Sequence, residues 1–243
     1  MAPYLLEGYS GKKVSYASSI ANMTDDELLK IVQSIKDFSY VSLREISSID
    51  RIQKFLTNKV RNVVDPTFLL TAEEWIALLG LKKRDDEKYI LYYTLESYGT
   101  LRKNIKSLKK IAGQENKKVF IVSPFAYIPI FDNMVKIIPM LGPEEFLDMI
   151  YNADKVITNS YHGTILSVNL KKDIYSVCES IGSEFRKTDI LTQLGMEERI
   201  IGTLDALINM PFHPIDYVQV HEKLSVLRDN SNAYLREAVS IHE

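Results

Sequence analysis

Residues 155 to 170, KVITNSYHGTILSVNL, constrain the fold of this chain more than any other stretch. Lys155 to Thr158 is a short β-branched run, Asn159 to Gly163 is a polar turn with one glycine, and Thr164 to Leu170 resumes an apolar pattern of a different period. Strand, loop and helix follow from that order. His162 then stands at a helix N-terminus, where unpaired backbone N–H groups and a partial positive charge hold an anion without a metal. Ser160, Tyr161, His162 and Thr164 add side-chain donors at the same spot. Spacing alone favours the plainer reading, with Asn159 or Ser160 as a helix cap and His162 as a solvated loop residue.

The rest of the chain repeats this alternation of short apolar runs and amphipathic helices. Lys12 to Ser18 reads as a strand. Thr24 and Glu27 form a capping box that opens a helix with Leu28, Ile31, Val32 and Ile35 on one face. Phe38 to Leu43 and Val60 to Val64 read as strands, with a helix traced by Ile46, Ile49, Ile52 and Leu56 between them. Thr71 to Leu79 is a short helix with Trp75, Leu78 and Leu79 inward. Residues 80 to 88, GLKKRDDEK, are a charged interval and the best domain boundary. Beyond it the spacing predicts strands over Tyr89 to Leu95, Val119 to Val122, Lys155 to Thr158 and Asp173 to Cys178. Helices are predicted from Tyr98, from Pro143 and over Arg186 to Leu194, with a loop running to Lys136, Ile137 and Ile138. A terminal helix from Pro214 carries a stripe of Tyr217, Val220, Leu224 and Leu227 and breaks near Asp229 to Asn232. Strands joined by helical crossovers give parallel sheets, here α/β with two Rossmann-like halves, and ligands in such sheets sit outside the C-terminal strand ends. The units expected are 1–80, 88–210 and a helical segment 211–243.

At 243 residues, 46% apolar and 26% charged, the composition is that of a globular protein able to bury a substantial core. A net charge of −2 gives no nucleic-acid surface. One cysteine, Cys178, excludes an internal disulfide, suits a reducing compartment and reads as a buried thiol. No stretch approaches the roughly 20 apolar residues of a membrane span, so the expected location is the cytoplasm. No G-x-S-x-G elbow surrounds Ser160, and no Walker A or G-x-G-x-x-G loop is present. His213 and His221 lack a metal-ligand spacing, so no metal is expected.

Ser42-Leu43-Arg44-Glu45 lies where a strand ends and a helix begins, at the ligand-binding edge of a doubly wound sheet. A guanidinium there can fork onto a carboxylate or phosphate, or simply pair with Glu45. The 155–170 stretch resembles the [DN]-S-[FY]-H-G-T signature of the polysaccharide pyruvyl transferase family, and its flanks, GPEEFLDMIYNAD and FRKTDILTQLGMEERII, agree with it. Ser42 to Glu45 resembles that family's S-[VL]-R-E motif, Ser15 to Ser18 its S-Y-A-[AS]-S strand, and Val64 to Thr67 its D-P-T turn. The last two read as structural. Ala21 stands where the family often has glycine, and Asn159 where many members have aspartate.

The resemblance implies a glycosyltransferase-B-like fold and transfer of pyruvate from phosphoenolpyruvate to a sugar of a polysaccharide or its precursor, lipid- or nucleotide-linked, as a ketal. It needs no cofactor. His162 is then the catalytic acid, and Arg44, Ser160, Tyr161, His162, Gly163, Thr164 and Arg186 form the donor site. Arg44 and His162, from separate halves, are expected to border one cleft. The family's elements ahead of the S-Y-A-S strand are missing here, so the N-terminal half is expected to be incomplete and activity to require another polypeptide. Two other readings remain: a non-catalytic or partner-dependent family member, and a nucleotide-sugar glycosyltransferase of the same fold.

Overall fold

The computed structural model describes residues 5–20, 23–84, 87–124, 132–139, 141–179, 184–211 and 213–240. Ala21 and the Asp85-Asp86 pair of the charged interval lie outside them. Two parallel sheets organise the chain. The smaller pairs β1 (Val41–Leu43) with β2 (Val60–Asn62). The larger contains β3 (Tyr89–Tyr93), β4 (Lys118–Ser123), β5 (Val135–Pro139), β6 (Lys155–Thr158), β7 (Asp173–Val177) and β8 (Ile200–Ile201) in the order β5-β4-β3-β6-β7-β8. The helices are α1 (Asp25–Ile35), α2 (Ile49–Gln53), α3 (Ala72–Leu79), α4 (Tyr98–Glu115), α5 (Pro143–Asn152), α6 (Tyr161–Asn169), α7 (Phe185–Leu194) and α8 (Tyr217–Val239).

The near-continuous apolar strands of the larger sheet follow from burial on both faces. Alternate residues go to opposite cores. Tyr89, Leu91, Phe120, Val122, Val156 and Ile174 meet residues of α5, α6 and α7 on one side. Ile90, Tyr92, Val119, Ile121, Ile157 and Tyr175 meet Leu101, Leu108, Ile111 and Ala112 of α4 on the other.

The smaller sheet differs from the sequence expectation in a way its backbone explains. Lys12 to Ser18 is not a continuous strand; it pairs with the chain at two isolated bridges, Val14 with Tyr40 just ahead of β1 and Ser18 with Leu43 within it. Between them Ala17 adopts a φ of +51°, which no pleated strand accommodates. The buried Ser42 hydroxyl repairs the break, accepting from the Ala17 N–H at 3.0 Å and donating to the Ser15 carbonyl at 2.9 Å. Other expectations are also corrected. Leu78 is exposed, the Ile46 to Leu56 helix shrinks to a 3₁₀ turn at Ile46–Ser48 followed by α2, and the residues read as a loop end form edge strand β5.

The terminal helix does not break. α8 runs unbroken through Asp229 to Asn232 for 23 residues, about 34 Å at 1.5 Å per residue. Its first half packs Val220 and Leu224 into the core of the larger sheet, and its second half packs Tyr234 and Ala238 on Ala17 and Val63. The fully buried Ser231 hydroxyl accepts from the Val64 N–H at 2.9 Å and donates to the Leu227 carbonyl at 2.7 Å. Tyr234 donates to the Ser15 carbonyl at 2.6 Å. Ser231→Ala leaves the Val64 N–H buried without an acceptor, a loss of about 1–3 kcal/mol, and urea unfolding should show the lowered midpoint with an unchanged slope.

Candidate functional site

In the larger sheet the chain runs outward from β3 through β4 to β5, then returns to the other side of β3 as β6. The loops leaving β3 and β6 diverge at that switch point, and a crevice opens at the strands' C-terminal ends. Gly163 fits there because a Cβ would come within 2.6 Å of Thr158 Oγ1 and 2.9 Å of Tyr93 Cδ1. Ser160 caps α6, its Oγ accepting from the Gly163 N–H at 3.4 Å while its own N–H donates to Thr158 Oγ1 at 3.0 Å. Thr164, fully buried, donates to the Ser160 carbonyl and lies 2.9 Å from Ser176 Oγ. The Ser160, Gly163 and Thr164 groups read as donor ligands are therefore engaged in building the helix start. The N–H groups of Tyr161 and His162 have no hydrogen-bond partner among the described residues. The His162 side chain is half exposed.

The two halves meet at this helix start. Arg44, leaving β1, donates from Nη1 to Asp65 Oδ2 at 2.8 Å, and Asp65 Oδ2 lies 3.9 Å from His162 Nε2. The D-P-T turn that follows β2 is thus part of the site. Asp65 Oδ1 accepts from the Thr67 N–H and hydroxyl, fixing the carboxylate in place. The Arg44 guanidinium lies 4.7 Å from the centre of the Tyr161 ring, and that of Arg186, from α7, lies 6.0 Å from it. Burial pushes the Tyr161 hydroxyl well above its ordinary range, so the ring is a neutral platform for two cations. Glu45 is buried completely; Ser19 Oγ donates to its Oε1, which stands 3.6 Å from Arg44 Nε, and its Oε2 has no partner.

Lys187, next to Arg186, is also buried. Its ammonium donates to the Asn159 carbonyl at 2.8 Å and the Val177 carbonyl at 2.5 Å and pairs with Glu184, tying the ends of β6 and β7 together. Asn159, in the place where the family often has aspartate, spends its side chain on the Leu95 N–H at 2.9 Å. The acid beside His162 is instead Asp65. Cys178 is buried with its thiol pushed up by desolvation. Among the described residues no group of three His, Cys, Asp or Glu side chains is arranged to hold a metal ion.

His162 borders two cavities. One, of about 350 Å³, is polar and is lined by Asn159, Ser160, Tyr161, Glu184, Arg186 and Lys187. The other, of about 660 Å³, is mainly apolar and reaches Trp75, Tyr93, Leu141, Phe146 and Leu166. Sequence reasoning singled out Arg44, Tyr161, His162 and Arg186, which lie around the Tyr161 ring, although Arg44 lines neither cavity. It missed Asp65, Glu45 and Lys187, although the first two stand inside the D-P-T and S-L-R-E motifs it had singled out.

A family model described as polysaccharide pyruvyl transferase matches residues 2–173. No curated protein sequence matches the chain. Among solved structures, the UDP-GlcNAc 2-epimerase from Methanocaldococcus jannaschii is similar at 14% identity and a TM-score of 0.53, over 90% of this chain and 62% of that one. UDP-N-acetylglucosamine 2-epimerase from Rickettsia bellii is similar at 9% identity and a TM-score of 0.52, over 92% and 66%. UGT89C1 from Arabidopsis thaliana, solved with UDP-L-rhamnose, is similar at 12% identity and a TM-score of 0.52, over 97% and 64%. The shared feature is the fold, α/β of the glycosyltransferase-B-like kind with parallel sheets. This chain spans about two thirds or less of the length of those structures.

Burial raises the Glu45 carboxyl above the usual carboxylate range, outweighing the Ser19 hydroxyl and the Arg44 charge that pull it down. The folded state therefore holds that proton more tightly than the unfolded chain does. The stability this contributes is present below the ordinary glutamate pKa and is lost as pH rises through the raised value. Compared by urea unfolding, Glu45→Gln should match the wild type near pH 4 and exceed its stability at about pH 8. Equal stability at the higher pH would mean that Arg44 and Ser19 fully compensate the buried charge.

Proposed function

The chain belongs to the polysaccharide pyruvyl transferase family, and from that premise we propose that it moves the pyruvate unit of phosphoenolpyruvate onto two hydroxyls of a saccharide, forming a ketal and releasing phosphate. One observation carries the reading: Arg44, Arg186, His162 and the start of α6 converge around Tyr161 and Asp65. Phosphoenolpyruvate brings a carboxylate and a phosphate, and two guanidinium groups beside a helix N-terminus suit that pair of anions. The polar cavity takes one anion of the donor, on Arg186 and the Tyr161 and His162 N–H groups, and Arg44, across the Tyr161 ring and outside that lining, takes the other.

The larger cavity takes the acceptor, a sugar of a polysaccharide or its precursor. Its aromatic walls suit the C–H faces of a pyranose, and its mouth brings hydroxyls to His162. Attack by the first hydroxyl oxygen on C2 of the donor puts a proton on C3 and converts the methylene to a methyl. Attack by the second hydroxyl expels phosphate, which leaves with the other hydroxyl proton. His162, which borders both cavities, gives its proton to C3 and takes one back from the first hydroxyl. Asp65 holds Arg44 on the donor side and steadies a protonated His162. The scheme draws on no metal or organic cofactor.

A thermal-shift screen separates the donor classes: stabilisation by phosphoenolpyruvate alone is expected, whereas stabilisation by a UDP-sugar alone would overturn the reading in favour of a glycosyltransferase. In an assay of phosphate release with a panel of sugars, His162→Ala should lose about 10²–10⁴-fold in kcat. Arg44→Lys, which cannot fork, should chiefly raise the donor KM.

A further inference from the structure

Glu45, beside Arg44, is a fully buried carboxylate that the reaction above leaves without a task. It is held by Ser19 at one oxygen and by nothing at the other, and the adjacent Arg44 Nε also lacks a hydrogen-bond partner. The guanidinium therefore sits between two carboxylates, Asp65 at Nη1 and Glu45 beside Nε, over the Tyr161 ring. We propose that Glu45 is a positioning residue for Arg44 that takes up a proton when an anion docks on the Arg44 guanidinium. The inference rests on the proposed anion site and adds its charge linkage.

The charges around Glu45 dictate the coupling. Arg44 stands beside it, Arg186 reaches it electrostatically from α7, and the start of α6 contributes Tyr161. Asp65, across the guanidinium, is the second acid. Two arginines against two carboxylates leave the empty site near neutrality. An incoming anion draws the arginine charge toward itself, and Glu45 then stands as a desolvated carboxylate next to new negative charge. Water does not reach Oε2, so its neighbours cannot rearrange to solvate it. Transfer of a solvent proton to Oε2 removes the repulsion, leaves Oε1 accepting from Ser19, and frees the guanidinium for the ligand while Asp65 keeps it oriented. No other bond forms or breaks. Burial pushes the carboxyl in the same direction, toward holding its proton, before any ligand arrives.

His162 is the competing proton acceptor, and sulfate separates the two because it does not itself titrate near neutrality. Calorimetry of sulfate binding to the full chain, in two buffers of different ionisation heat near pH 6.5, reads the protons taken up per anion. Wild type and His162→Gln should both take up a proton, with sulfate affinity rising by up to about tenfold for each unit of acidification. Glu45→Gln should bind sulfate with no uptake. Ser19→Ala removes the hydroxyl that favours the ionised form, so Glu45 starts out more fully protonated and uptake falls; this variant carries the test if Glu45→Gln does not fold. Undiminished uptake in Glu45→Gln or in Ser19→Ala, or its loss in His162→Gln, overturns the role of Glu45 and leaves the anion site standing. Failure of the wild type to bind sulfate at all would instead overturn the anion site and the functional reading built on it.

Discussion

The Asp65 carboxylate is the point on which the site depends. One oxygen caps the 3₁₀ turn Pro66–Phe68 by accepting from Thr67, which fixes the direction in which the chain leaves the smaller sheet. The other accepts from Arg44 and lies against His162. A nearly inaccessible carboxylate in that position organises a cation from β1 and an imidazole from α6 at once, although those groups belong to different sheets. Breaking such a buried pair from one side is costly because the surviving charge is left stranded. The same chain direction that Asp65 sets carries α3 to the rim of the larger cavity, where Trp75 donates to the Thr67 carbonyl.

Much of the fold could be read from the sequence because its elements are governed by local periodicity. The capping boxes at Thr24 and Thr71, the glycine ends at Gly80 and Gly195 and the two-sided strands at Tyr89, Val119 and Val156 all depend on near neighbours. Where the reading failed, a distant contact decided. Lys12 to Ser18 has a strand's composition, but the Ser42 hydroxyl stabilises a left-handed Ala17 in its midst. Asp229 to Asn232 has a turn's composition, but a helix with tertiary support tolerates it: Ser231 satisfies Val64 on the smaller sheet while bonding back to Leu227. Leu78 lies on α3 at apolar spacing yet meets solvent, since the helix is buried on one narrow side only.

The site was legible to the same degree and for the same reason. The 155–170 stretch locates a helix start at the switch point, and the glycine inside it is explained by the closeness of Thr158 and Tyr93. What spacing does not give is the division of labour among the polar groups there. Ser160 and Thr164 look like ligands in one dimension and turn out to satisfy the backbone and Ser176. Asp65 looks like a strand terminator, a role compatible with its D-P-T context, and its second role exists only once β2 is brought against α6. Glu45 looks like an ordinary partner for the preceding arginine, whereas its burial, not its neighbour, sets its character.

These placements share a logic of charge. Arg44 is compensated by Asp65 and Glu45, and Lys187 is spent on Glu184 and two strand carbonyls, so neither is a freely available cation. Arg186, 6.0 Å from the centre of the Tyr161 ring, and the unpaired N–H groups at the start of α6 remain as the less encumbered positive elements. A site built this way does not attract anions through net charge, in keeping with a chain whose formal charge is only −2. Recognition has to come from fixed geometry instead: a guanidinium plane held by a carboxylate and an aromatic ring, and backbone donors on a helix whose start packs closely against Thr158 and Tyr93 at Gly163. Donors immobilised before the ligand arrives cost little reorganisation when charge shifts during reaction, and a desolvated cleft magnifies what each contributes. The compensation of Arg44 is then a means of keeping its fork in place while the cleft is empty.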